Sequence, residues 1–159
     1  MRVFGAKLRY LRSNDHMSQT ELAQRLSVQR AHINNLESGR RSPSIQLVCD
    51  ARTLLRVSID YLLQDTIPVD QPIMLDDNKA LLCEGVVVYA QRLRALRQQH
   101  ELSQVLLAQR LQLRTQAHIS LLEHGQKEPS IRLVLRTAEV FNVTTDSLLC
   151  ATDSGEKGG

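Results

Sequence analysis

The sequence predicts an all-α protein made of two tandem, similar helical bundles. Three observations predict it. The chain repeats itself at a spacing of about 85 residues; its apolar residues recur at three- and four-residue intervals; and with 3% aromatic residues and no Trp, its core must be built from Leu, Ile, Val and Ala, which suits small bundles better than sheets. The repeat is read directly. Met17-Ser18-Gln19 through Leu22-Ala23-Gln24-Arg25-Leu26 matches Leu102-Ser103-Gln104 through Leu107-Ala108-Gln109-Arg110-Leu111 at an offset of 85. From Ala31-His32-Ile33 through Leu36-Glu37 and Gly39 the partner is Ala117-His118-Ile119 through Leu122-Glu123 and Gly125, at an offset of 86. Pro43-Ser44-Ile45 meets Pro129-Ser130-Ile131, and Val57 to Leu63 meets Val143 to Leu149, so the second copy carries one extra residue.

Each copy divides into short helices by its own punctuation. Phe4, Leu8 and Leu11 give a first helix one apolar face. Ser18 with Glu21 three residues on is a capping box that opens a second helix, whose Leu22 and Leu26 face inward. A third helix buries Ile33 and Leu36 and stops before Gly39, which can take the left-handed turn that closes a helix. A fourth opens at Pro43 or Ser44 and runs through Val48, Leu54 and Leu55; Val57-Ser58 breaks it, and Ile59 to Leu63 form a fifth. The second copy repeats this plan from Tyr89 to Cys150, without the capping box because Leu106 stands in place of Glu21.

Domain bounds follow. Residues 1–65 form the first module, 66–78 an acidic linker with Pro68 and Pro72 that reads as extended and exposed, 79–151 the second module, and 152–159 a disordered tail. From Lys79 the pattern Leu82, Val86, Tyr89, Leu93, Leu96 predicts a lengthened first helix in the second module. Leu81, Val87 and Val88 fall off its face; packing on the other module and pairing of two chains both remain open for them.

Charge is distributed unevenly. Residues 1–65 hold ten Arg/Lys against six Asp/Glu and residues 89–151 eight against five, while residues 66–88 hold one against four. Two basic blocks flank an acidic connector, and their cations are mostly Arg, whose planar fork suits phosphate and guanine. Nothing near Met1 resembles a secretory signal, and no apolar run approaches the roughly 20 residues of a membrane span, so the expected location is the cytoplasm with no membrane partner. Cys49, Cys83 and Cys150 are odd in number and lack a C-x-x-C pair, which points to buried thiols rather than disulfides or zinc. His16, His32, His100, His118 and His124 form no ligand pair with a Cys or carboxylate. No nucleophile signature or phosphate loop is present, so no catalytic residue, metal, cofactor or small-molecule ligand is indicated.

The second and third helices of each copy, separated by Ser27-Val28 or Gln112-Leu113, have the arrangement of a helix-turn-helix, in which the third helix can enter a major groove. Residues not needed for the core are Gln29, Arg30, His32, Asn34 and Asn35 in the first copy and Arg114, Thr115, Gln116, His118, Ser120 and Leu121 in the second. Gln and Asn can pair bidentately with adenine and Arg with guanine, and these faces lack acids.

Met17-Ser18-Gln19-x-x-Leu22-Ala23 with Ile33-x-x-Leu36-Glu37-x-Gly39-x-x-x-Pro43-Ser44, and the same pattern from Leu102 to Ser130, strongly resemble the phage repressor and Cro (XRE-type) family over about 125 of the 159 residues. The resemblance implies two lambda-repressor-like five-helix bundles and a transcription regulator, a repressor by expectation, that binds a double-stranded DNA operator. It implies base contacts by Gln19, Gln29, Arg30 and Asn35, and by Gln104, Thr115 and Gln116. His32 and His118 hold equivalent places on the third helices and join the base-contacting set. Phosphate contacts are expected from Ser18, Asn34, Arg40, Arg41, Ser103, Ser120 and Lys127. Glu37 and Glu123 stand where the family pairs them with an Arg of the first helix, here Arg12 and Arg97. Single-module relatives dimerise to place two heads about 34 Å apart. One chain with two heads can be a pseudo-dimer, but the apolar surplus near Val87 favours a homodimer.

Three departures qualify the pattern. Arg52 occupies a place that is small in the family and is Ala138 in the second copy, so the fourth helix must shift or the Arg reach solvent. The extra residue lengthens either the turn or the start of the second recognition helix. Leu121 replaces Asn35, which suits a thymine methyl or a protein contact. The rival reading is therefore a protein-interaction module, an antitoxin or inhibitor, that keeps the fold and binds a protein partner.

Overall fold

The computed structural model describes residues 2–75 and 84–151. The chain divides into two compact units, residues 1–80 and 81–159. The first holds α1 (Arg2–Asn14), α2 (Gln19–Arg25), α3 (Arg30–Glu37), α4 (Ile45–Leu55) and α5 (Ile59–Leu63); the second holds α6 (Val86–Gln99), α7 (Gln104–Arg110), α8 (Gln116–Glu123), α9 (Ile131–Phe141) and α10 (Thr145–Leu149). The architecture is all-α, five helices to a module, as the repeat and the periodicity predict. No described helix is long and apolar enough to cross a membrane.

Helix starts follow the hydroxyl residues. Ser18, Ser44, Ser58, Ser103, Ser130 and Thr144 each accept a hydrogen bond from the backbone N–H three residues on, which satisfies one of the free donors at a helix start. The capping box at α2 is complete: Glu21 Oε2 accepts from Ser18 N at 2.7 Å while Ser18 Oγ accepts from Glu21 N at 3.1 Å. These bonds hold the Glu21 carboxyl below its usual range. At α7 only the Ser103 half exists. Gly39 (φ 69°) and Gly125 (φ 65°) take the left-handed turns after α3 and α8.

Each core is mainly aliphatic, with one buried tyrosine and one buried phenylalanine, Phe4 in the first module and Phe141 in the second. In the first module Leu8, Leu22, Ile33, Val48, Ile59 and Leu62 are fully buried around Tyr61; in the second, Leu93, Leu107, Ile119, Val134 and Leu149 surround Tyr89. Tyr89 Oη lies 2.8 Å from Thr137 Oγ1, and burial pushes its phenol up to about 12. Cys49 and Cys150 are buried, while Cys83 lies outside the described residues.

Four features differ from the sequence expectation or extend it. The helix expected from Lys79 starts, within the described residues, at Val86: Gly85 takes φ 51°, and its N–H donates to Leu149 O at 3.0 Å, which turns the chain into α6. Leu81 and Leu82 lie outside the described residues. Val88 is core rather than surplus, whereas Val87 is 56% exposed. Arg52 neither breaks α4 nor reaches solvent: α4 runs unbroken and Arg52 is buried. Finally, residues 66–75 are mostly exposed yet tied back to the first module. Met74 bridges Val57 in antiparallel fashion, Ser58 N donates to Ile73 O at 2.9 Å, Leu75 N donates to Arg56 O at 2.8 Å, and Tyr61 Oη donates to Val69 O.

Two further contacts fix α1. Lys7 is fully buried and its ammonium donates to Tyr61 O at 2.5 Å and Gln64 O at 2.6 Å, at the carbonyl end of α5 where a cation is favoured. Desolvation lowers its pKa, partly opposed by Asp65. Gly5 lets α1 approach α3: a Cβ there would lie 2.0 Å from Leu36 O.

Candidate nucleic-acid interface

The interface rests on α2 and α3, and on α7 and α8, each pair joined by a tight turn. In the first module the turn is residues 26–29, with Ser27 at φ 54° and Val28 N donating to Ala23 O at 2.9 Å. In the second it is residues 111–115, with Gln112 at φ 53° and Leu113 N donating to Ala108 O at 2.8 Å. Both third helices are eight residues long. The extra residue therefore enters the turn and leaves the recognition helix unchanged in length.

A buried polar lock orients each pair. Arg12 Nε donates to Glu37 Oε1 at 2.6 Å and Arg12 Nη2 to Glu37 Oε2 at 3.2 Å, while Arg12 Nη1 caps Met17 O at 2.8 Å. In the second module Arg97 makes the same bonds to Glu123 at 2.6 and 3.1 Å and to Leu102 O at 3.0 Å. The bond to Glu123 raises the Arg97 pKa. Paired, fork-like contacts of this kind fix geometry as well as charge. They tie α1 to α3 and α6 to α8, as the family resemblance implies.

Gln19 and Gln104 join the same lock: their Nε2 atoms donate to Glu37 Oε2 at 2.8 Å and Glu123 Oε2 at 3.0 Å. Each amide thus has an Nε2 hydrogen engaged, and its Oε1 keeps the capacity to accept. Arg30 and Asn34 are exposed along α3, Gln29 is exposed at its N-cap, and His32 and Asn35 are half-buried. Arg40 and Arg41 are exposed just beyond, their N–H groups donating to Asn35 O at 2.9 and 3.2 Å. Among the described residues Arg30, Arg40, Arg41 and Lys127 are in no ion pair. The only acid of α3, Glu37, is turned inward to Arg12, so the outward ridge is amide-rich and cationic.

On α8, Gln116 and its N-cap Thr115 are exposed, and His118 and Ser120 are half-buried. Burial and Lys127 lower the His118 pKa. Ser18 and Ser103 spend their oxygens on capping, which leaves each hydroxyl hydrogen to donate to a phosphate. One feature of the second module is missed from sequence: Val105 and Leu106, 47% and 48% exposed on α7, accompany Leu121, 40% exposed on α8. The repeat carries the signal, because the matching positions in the first module are Thr20, Glu21 and Asn35.

A helix-turn-helix family model matches the chain twice, over residues 8–62 and 93–148, well over half of its length. The chain belongs to the XRE-type helix-turn-helix family. Neither curated proteins nor solved structures give a match. As an XRE-type protein with two modules it is a DNA-binding helix-turn-helix regulator of transcription. The two matched spans contain every residue of both Arg–Glu–Gln locks and both turns.

Proposed function

We propose that this regulator is a repressor that inserts α3, and with it α8, into successive major-groove segments of a double-stranded operator. The observation that carries this reading is the acid-free ridge of Gln29, Arg30, His32 and Asn35, held outward by a scaffold whose one nearby carboxylate is neutralised internally. Gln19 extends the base-facing set through its Oε1, and Gln104, Thr115, Gln116 and His118 are its counterparts. Ser18, Asn34, Arg40, Arg41, Ser103, Ser120 and Lys127 flank these residues as phosphate contacts, giving affinity without selectivity. A homodimer presenting four heads follows from the exposed Val87. Blocking of polymerase is the output this reading assigns to two DNA-binding modules seated on an operator.

The test is a duplex titration at two salt concentrations followed by selection of bound sites from a random pool. Each neutralised phosphate contributes a slope of about −0.9 in log K against log salt. Two half-sites would support reading by both modules. Salt-insensitive or absent binding would refute the proposal.

A second reading applies to module two alone. Val105, Leu106 and Leu121 put three apolar side chains on surfaces where module one is polar, which favours a protein partner there. A selected operator with a single short half-site would support it.

A further inference from the structure

Beside the α8 surface lies a cavity of about 210 Å³, which shares His118 and Lys127 with the proposed DNA contacts and extends beyond them to α9. Its cationic lining is Lys127 of the loop after α8, and Arg132 and Arg136 of α9, with the His118 imidazole of α8 beside them. Leu113 and Leu133 supply apolar wall. Glu128 is the single acid lining it.

The repeat provides an internal comparison. Arg132 and Arg136 match Gln46 and Asp50 of module one, where Gln46 Nε2 donates to Asp50 Oδ1 at 2.9 Å across one helical turn. Module two has replaced a self-satisfied neutral–acidic pair by two cations at the same spacing, and like charges four residues apart on a helix repel. Arg136 is held in place by a bond from Nη1 to Leu111 O at 2.9 Å, with its remaining donors left for another acceptor. Arg132 and Lys127 are exposed and in no ion pair among the described residues. Concave shape, apolar wall and convergent cationic donors together specify the ligand class.

We propose that this cavity of module two binds a small organic anion, a phosphate or carboxylate carried on an apolar body. The oxyanion sits among Arg132, Arg136 and Lys127, and the body lies against Leu113 and Leu133. A bare backbone phosphate of DNA fills none of the apolar wall. The site itself stands whether or not α8 reads DNA; only its consequence, an anion placed beside a DNA-facing helix and opposing the duplex, rests on that reading.

The full chain is titrated with phenyl phosphate, inorganic phosphate and phenol while NMR signals of His118 and Leu133 are followed. Phenyl phosphate shifts both saturably, inorganic phosphate shifts the His118 signal more weakly, and phenol shifts neither. Arg132→Gln, a change at an exposed side chain, weakens phenyl phosphate roughly tenfold, as loss of one charge-assisted contact requires. Arg132→Gln with Arg136→Asp, which carries the pair found in module one, abolishes it. The proposal is overturned if neither anion gives a saturable shift, or if the variants bind phenyl phosphate as the parent does.

Discussion

Glu37→Gln tests whether the first lock holds the recognition helix in place. Glu37 accepts three hydrogen bonds, two from Arg12 at 2.6 and 3.2 Å and one from Gln19 at 2.8 Å, and its side chain is 5% exposed against 14% for Arg12. The Gln variant keeps the shape, removes the charge and points an N–H₂ group at existing donors. Breaking a buried pair from one side costs about 3–5 kcal/mol. Arg12 keeps its bond to Met17 O and an edge in water, so we expect the lower end, about 3 kcal/mol. Amide exchange at Ile33 and Ile119 under increasing urea reads the two modules separately, and the chain supplies its own control: Glu37→Gln should destabilise around Ile33 only, and Glu123→Gln around Ile119 only. Replacing both partners, Arg12→Met with Glu37→Met, should recover part of the loss because no buried charge is stranded. A loss below about 1 kcal/mol, or equal loss in both modules, would refute the lock as the device that fixes α3.

Arg30→Ala should relax preference at one base position of the selected operator by about 1–3 kcal/mol, whereas Arg41→Ala should weaken all duplexes alike and flatten the salt slope by about one unit; binding arrays at two salts separate the two. Gly5→Ala gains about 1 kcal/mol of helix propensity but sets a Cβ 2.0 Å from Leu36 O, so α1 must lift off α3 and module one should lose about 2 kcal/mol net in urea; a stabilised variant would contradict the close approach. The Tyr89 phenol, pushed up to about 12 from its ordinary 10, gives stability that is complete below pH 10 and is lost as pH rises towards 12. Tyr89→Phe should therefore remove about 2–3 kcal/mol of the fall in module-two stability across that window, read from urea midpoints between pH 9 and 12. Lys7, whose pKa is lowered, contributes in the opposite sense as its proton is lost, and it is common to both chains.

What was legible in the sequence was local or repeated. Ser18, Ser44 and Ser130 cap the helices they precede, and Gly39 and Gly125 close the ones they follow, because these signals act within a few residues of themselves. What was hidden depends on distant partners. Lys7 is buried because carbonyls of Tyr61 and Gln64, 54 and 57 residues away, receive it. Gly5 is needed only because the Leu36 carbonyl arrives above it, and nothing in α1 announces that. Residues 66–75 show no period, yet backbone bonds to Arg56 and Ser58 hold them, and backbone groups carry no sequence signature. The extra residue before Gln116 was visible, but whether it entered turn or helix was settled only by φ at Gln112 and by the length of α8.

The two modules also separate scaffold from surface in a way that one module alone could not. Arg12, Gln19 and Glu37 return as Arg97, Gln104 and Glu123, with every hydrogen bond of the lock reproduced to within 0.2 Å. The outward positions do not return: Thr20, Glu21 and Asn35 become Val105, Leu106 and Leu121, and Gln46 and Asp50 become Arg132 and Arg136. An exposed side chain is released from packing, so a difference there costs little folding energy and changes what the surface meets. A fold that keeps its buried bonds while exchanging polar groups for aliphatics on one face, and an amide and a carboxylate for two cations on another, is therefore equipped to bind two different things. The first module has the surface of a DNA reader, and the second combines that plan with an apolar face and an anion-sized cavity. If module two were a second copy of the same reader, grafting Thr, Glu and Asn at 105, 106 and 121 would leave its partners unchanged. On the view argued above, the graft should raise its affinity for duplex DNA and leave phenyl phosphate binding intact, since none of the three positions lines the cavity. Parallel titrations of the grafted and parent chains with duplex and with phenyl phosphate decide between these outcomes.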